Sequence, residues 1–209
     1  MLSTNWGSRL SRIFTWYSKQ LETQPLVTKS VTSGIVAGSG DVLCQIIVRR
    51  SSSPYHGDNR ESVTIDKNRT FRFFLLGAVL VAPTAHHWYR TLLQLFPENT
   101  LKAAFQRTLL DQALFAPLFI PTFMASAMAL AGEGYDDILP IIRERYADLV
   151  LKNWILWAPA QLFNFRFVPA KFQVLFSNCV ALVWNTYFSF KVNEDVIDGS
   201  YNEEAHKNE

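Results

Sequence analysis

Asp41 stands within TSGIVAGSGDVLCQ, residues 32–45, and its three neighbours on each side are small or apolar. On a helix, offsets of 4, 7 and 11 return to nearly the same angle. Gly34, Gly38, Asp41 and Gln45 therefore share one face, with Ala37 beside it. The glycines allow a second helix to approach closely, and the acid and amide give that face a polar head. A carboxylate at mid-bilayer costs roughly 2.5–3.5 kcal/mol on insertion scales. Asp41 is therefore expected to face a neighbouring helix or water, not lipid.

Other segments carry similar faces. Gly77, Thr84 and His87 form one, and Asn178, Asn185 and Ser189 form another. Asp111 and Gln112 head a third, where Arg107 precedes Asp111 by one turn. Arg107 is expected to pair with Asp111, although Arg before Asp is the weaker order on a helix. Pro117 and Pro121 remove backbone donors and free carbonyls further along. Pore-lining or helix-packing positions are thus Gly34, Gly38, Asp41, Gln45, Asp111, Gln112, Asn178 and Asn185. Such groups can line a wet path, or can serve only as glue contributing on the order of 0.6 kcal/mol each. The residues alone leave both uses open.

Enzyme chemistry has little footing. There is no HExxH, CxxC, GxSxG or phosphate-cradling glycine loop. His86 and His87 point about 100° apart on a helix and cannot share one metal ion well. Cys44 and Cys179 both sit in apolar runs and read as small buried residues, with no disulfide framework or metal spacing. No catalytic residue, cofactor or metal is expected, and a net charge of +2 is too small to suggest nucleic acid.

The elements that must hold these faces follow from the distribution of charge. Hydrophobic residues make up 49% of the chain and mean hydropathy is only +0.05. Charged residues nevertheless crowd into 49–72, 133–152 and 191–209, while 73–89, 112–132 and 172–190 have none. A surface helix of a soluble protein needs a charged face, whereas about 20 apolar residues cross a bilayer. The 209 residues are expected to form an all-α polytopic membrane helix bundle spanning residues 1–191. The spans fall at about 25–48, 71–92, 103–131 and 171–191. An interfacial or broken helix is expected at about 150–168, because Pro159 and Pro169 interrupt an aromatic segment there. Residues 135–150 read as a solvated amphipathic helix, and 192–209 as an acidic disordered tail.

Finer signals mark the boundaries. Lys29 is expected to snorkel to the headgroups, and Trp88, Tyr89 and Arg90 to sit at the interface. Pro97 to Thr100 reads as a turn and helix start, and Gly132-Glu133-Gly134 as a helix end. The first 24 residues hold Arg9, Arg12 and Lys19 among Ser and Thr, with no long apolar core. That pattern resembles a mitochondrial address that also serves as an uncleaved interfacial helix. Basic residues are too evenly divided to set an orientation.

These motifs together resemble the Mpv-seventeen / peroxisomal-membrane-protein family. Trp16-Tyr17, Leu21, Pro25, Gly40-Asp41 and Gln45 are similar to its opening pattern, and Gly77, Pro83, Trp88-Tyr89, Asp111-Gln112 and Pro117 to its middle. WILWAPAQLFNFRFVPAKF followed by VWNTYFSF resembles its carboxy-terminal signature, carried here by Trp157, Pro159, Gln161, Asn164, Phe165, Val168, Pro169, Trp184, Tyr187 and Ser189. The resemblance implies a four-span organelle membrane protein that passes small solutes. It also implies links to mitochondrial DNA maintenance, stress response and reactive-oxygen control. The mitochondrial inner membrane is the expected location, with the peroxisomal membrane as the alternative. Expected partners are the lipid bilayer, small solutes or ions and a second copy of the chain, with no nucleic acid bound directly. A pore-free structural or assembly factor is the competing function.

Overall fold

The computed structural model describes residues 6–51 and 64–183, and no strand occurs among them. The first helix, α1, is Trp6–Thr23, and α2 is Pro25–Ser51. Pro25 sits at the first position of α2, where its missing N–H costs nothing. Residues 67–95 form α3, made of Lys67–Leu75, Leu76–Val81 and Ala82–Leu95 without a break. Leu101–Ala131 is α4, Tyr135–Phe167 is α5, and Ala170–Val183 is α6, opened by the 3-10 turn Ala170–Phe172.

Local chemistry places the ends. Asp66 caps α3 by accepting from the Arg69 N–H at 3.0 Å. Thr100 caps α4 by accepting from the Ala103 N–H at 3.1 Å, as the Pro97–Thr100 turn suggested. α4 ends where Gly132 takes a left-handed φ of 96°, which glycine adopts without a Cβ clash.

Two helices carry a wide turn just before a proline. The Ala82 N–H bonds to Gly77 O, five residues back, ahead of Pro83. The Ala116 N–H bonds to Asp111 O in the same way, ahead of Pro117. A proline ring clashes with the carbonyl four residues earlier. One extra residue in the preceding turn relieves the clash, and it rotates everything beyond it. This corrects the face predicted on α3: Gly77 shares its cavity-lining side with Ala85 and Tyr89, while His87 is exposed.

The broken helix expected at 150–168 is instead the second half of one continuous 33-residue helix, with Pro140 and Pro159 inside it. Residues 135–150 are its first half, not a separate element. Each proline removes one ladder bond. Cross-links to α4 hold the rod on both sides of Pro159: Tyr146 Oη donates to Pro117 O at 3.2 Å, Asn153 to Gln112 Oε1 at 3.2 Å, and Gln161 to Asp111 at 2.9 Å. The break comes at Val168 and Pro169, where the backbone turns extended.

Contacts between neighbouring helices show that α2 to α6 run alternately up and down. Arg72 near the start of α3 reaches Leu130 O at the end of α4, and Asn178 of α6 donates to Ser33 of α2. Beneath one end lies an apolar core of Ala85, Tyr89, Leu92, Ala104, Phe165 and Val174. Outward, the bundle is greasy: Val31, Ile35, Val79, Leu114, Leu118 and Ile155 are exposed. Pro25–Ile47 and Leu101–Ala131 are long and apolar enough to cross a bilayer, and only 6% of the apolar stretch of α4 is buried within the protein. Surface of that kind belongs in lipid.

α1 packs across the end of the bundle. Its Tyr17 donates to Thr32, its Phe14 stacks on Phe172 at 5.5 Å, and Lys171 reaches Ser18 and Glu22 at 2.7 Å. Leu21 is buried, whereas Ile13 and Trp16 remain exposed. Exposed apolar residues beside Arg9, Arg12 and Lys19 suit the headgroup layer.

A polar-floored cavity as candidate functional site

The predicted polar residues divide into two separate clusters. The first fastens α2 to α3. Gly34 packs so tightly that an added Cβ would lie 2.8 Å from Phe74 Cε2, while Gly38 lies in looser contact with Phe74 and Thr70. Asp41 Oδ2 accepts from Gln45 Nε2 and from Thr70 Oγ1, each at 2.7 Å. Arg69 Nε stands 2.8 Å from Asp41 Oδ1. Gln45 also pairs with the Asp66 backbone, accepting from its N–H at 2.8 Å and donating to its carbonyl at 3.2 Å. Asp41 is therefore turned inward, as its cost in lipid requires. Its partners are the first turn of α3, and neither it nor Gln45 lines the cavity. All four residues make their contacts within the seam between α2 and α3.

The second cluster forms the floor of a partly open cavity of about 360 Å³ lined by α2 to α6. Asp111 is 2% exposed. Its Oδ1 accepts from Trp88 Nε1 at 2.8 Å, and its Oδ2 from Gln112 Nε2 at 2.7 Å and Gln161 Nε2 at 2.9 Å. Gln161 also donates to Tyr89 Oη at 2.8 Å, and Tyr89 bonds Ser177 Oγ at 2.8 Å. Asn164 donates to Gln161 Oε1 at 2.9 Å and to Ser177 Oγ at 3.2 Å, leaving its own Oδ1 buried without a donor. Asn178 donates to Ser33 Oγ at 2.6 Å beside them. The acceptors sit on five different helices, so the floor exists only when the bundle is assembled.

Asp111, Gln112 and Asn178 are thus brought together, and Asn185 and Trp184 lie outside the described residues. Of the carboxy-terminal motif, Trp157 and Gln161 line the cavity, Asn164 braces Gln161 without lining it, and Phe165 packs edge-on to Tyr89 at 5.3 Å. Pro159 lies within α5 and Pro169 turns the chain into α6. Trp88 and Tyr89, read as an interface belt, are instead in the polar network. The wide turn before Pro83 is what swings Tyr89 inward. Ser177 was not foreseen, because a lone serine in an apolar run carries no signal.

Two further expectations are corrected. Arg107 makes no ion pair with Asp111 among the described residues. Its guanidinium instead donates to Phe96 O, to Glu98 O at 2.9 Å and to Phe165 O at 3.3 Å. It thereby gathers the loop after α3 and the last turn of α5 onto α4. Lys29 does not snorkel either: it is 8% exposed, with Nζ 3.1 Å from His86 Nδ1.

Residues 128–189, which carry Trp157, Gln161, Ser177 and Asn178 of the cavity lining, match the sequence pattern of the Mpv17 / PMP22 family. The chain is 35% identical to Protein sym-1 of Neurospora crassa over 180 residues, 85% of this chain and 98% of that protein. It is 33% identical to the mitochondrial inner membrane protein Mpv17 of Rattus norvegicus over 178 residues, 85% of this chain and 96% of that one. The chain belongs to the Mpv17 / PMP22 family. Protein SYM1 of Eremothecium gossypii is 31% identical over 185 residues, 87% of this chain and 96% of that protein. No solved structure matches the chain. With these Mpv17 relatives and its lipid-facing helices, the protein is an integral protein of the mitochondrial inner membrane.

Proposed function

We propose that the protein is a small-solute conduit of the mitochondrial inner membrane, seen in a closed conformation. The observation that carries this reading is the cavity. It reaches along α3 from Phe73 to Tyr89, sixteen residues or roughly 24 Å of helix, in a protein whose outer surface is apolar. A bundle meant only to be rigid would fill such a space with side chains, since interiors pack to crystal density. A buried acid inside a membrane marks a pathway or binding site by default. The Tyr89–Gln161–Ser177 bonds seal one end, so opening requires that floor to part. The roles in organelle DNA maintenance, stress and reactive-oxygen control implied by the resemblance would be consequences of that permeation.

The packing role of Asp41 and Gln45 favours the competing reading, a pore-free scaffold, for that part of α2 alone. Purified protein reconstituted into planar bilayers separates the two. Stepwise conductance is expected, with a preference for cations. Asp111→Asn is expected to reduce that preference roughly fivefold, because one charge beside a narrow path is worth on the order of 1 kcal/mol at high effective dielectric. A flat trace from protein that is folded and inserted would overturn the conduit reading.

A further inference from the structure

The floor and walls of the cavity differ in a way that specifies a ligand. Both oxygens of Asp111 are occupied by neutral N–H donors, the pattern of an ionised carboxylate. No Lys, Arg or His side chain lies within ion-pair distance of Asp111 among the described residues. Arg107, one turn away, has its donors committed to three backbone carbonyls. The floor therefore carries one negative charge without a counter-ion. The walls are apolar and rich in aromatic rings, among them Phe73, Phe115, Phe119, Phe123 and Trp157.

A small inorganic ion would be poorly served by such walls, because they offer nothing to replace its water shell. A neutral solute would leave the charge unmatched, and an anion would meet a like charge. A cation that carries its own hydrocarbon coat satisfies both parts: its charge meets Asp111, and its carbon surface replaces water against the rings, which tolerate cations well. We infer that the cavity is a recognition site for small organic ammonium ions, with Asp111 as their counter-charge. This deepens the conduit reading and rests on the cavity admitting solutes.

The test uses choline and its carbon isostere 3,3-dimethylbutan-1-ol, which differ only in the charged atom. Binding of each to the purified full chain in detergent is measured by calorimetry. Choline is expected to bind at least about tenfold more tightly than the isostere. Asp111→Asn is expected to erase that difference, while Asp111→Glu, which keeps the charge, retains most of it. The wild-type comparison needs no variant, so misfolding of a mutant leaves the test intact. Equal binding of the two probes, binding of neither, or discrimination that survives Asp111→Asn would each overturn the inference. If the protein conducts in bilayers yet fails to discriminate, only this inference falls. If it also fails to conduct, the conduit reading falls with it.

Discussion

Replacing Arg107 by Met lowers the stability of the folded protein by about 3 kcal/mol, measured as a reduced unfolding midpoint in detergent micelles. The arginine is 5% exposed. Its fork binds Phe96 O, Glu98 O and Phe165 O, tying together the ends of three helices. Hydrogen bonds from a charged donor are worth roughly 1.5–3 kcal/mol each, and Met leaves the buried Phe165 carbonyl without this partner while preserving most of the side-chain volume. Arg107→Lys is the discriminating control. A lysine keeps the charge but cannot span three carbonyls, because it lacks the planar fork. It is expected to recover less than half of the loss. Full recovery by Lys would mean that the charge matters and the clamp does not.

Gly77→Ala is expected to destabilise by about 2 kcal/mol, the scale of overpacking, and Gly77→Val by more. An added Cβ at Gly77 would lie 2.5 Å from Ser33 O and 2.8 Å from Ala37 Cβ. The nearest atom belongs to the α2 backbone, so no side chain can swing aside and the two helices must part. Gly38→Ala provides the opposite sign. A Cβ there meets Phe74 and Thr70 at 3.6 and 3.7 Å, ordinary contact distances. Removing a helical glycine then stabilises by roughly 0.5–1 kcal/mol, because glycine loses the most backbone freedom on folding. Thermal midpoints of the two alanine variants moving in the same direction would contradict the packing described here.

The all-α membrane architecture was legible because charge-free runs of bilayer length fit hydrocarbon and suit few other surroundings. Helix ends at Thr100 and Gly132 were legible because capping is local chemistry. The inward turn of Asp41 followed from its cost in lipid, and the close approach of α2 and α3 from Gly34, whereas Gly38 has room for a methyl group. Its separation from the cavity did not follow. Which helix an acid faces depends on how α3 starts, and that is set by Asp66 and Thr70 some 25 to 29 residues away. The α3 face was misread for a definite reason. Ideal 3.6-residue periodicity links Gly77 to Thr84, but the wide turn ahead of Pro83 inserts one residue and links Gly77 to Ala85 and Tyr89 instead. The same proline signal in principle flags the shift, since an internal proline either kinks a helix or widens the turn before it. The expected break at Pro159 does not occur, because cross-links to α4 that local propensity cannot show hold α5 straight on both sides of it. Arg107 was assigned to Asp111 by proximity in sequence, whereas three open carbonyls at helix ends are stronger claimants on a five-donor guanidinium.

On the conduit reading proposed above, solute enters a cavity floored by Asp111 and Ser177, while the Gly38–Gln45 face stays closed as helix packing. Cysteine accessibility tests it directly. With Cys44 and Cys179 replaced, single cysteines are placed at Ser177 and Ala181 in the cavity, at Gly38 and Gln45 in the packed face, and at Val79 facing lipid. A membrane-impermeant methanethiosulfonate is then applied to each side of reconstituted vesicles. The structure predicts labelling at Ser177→Cys and Ala181→Cys from one side, with Gly38→Cys, Gln45→Cys and Val79→Cys unreactive. Cavity cysteines as inert as the one at position 79, or labelling confined to positions 38 and 45, would contradict it.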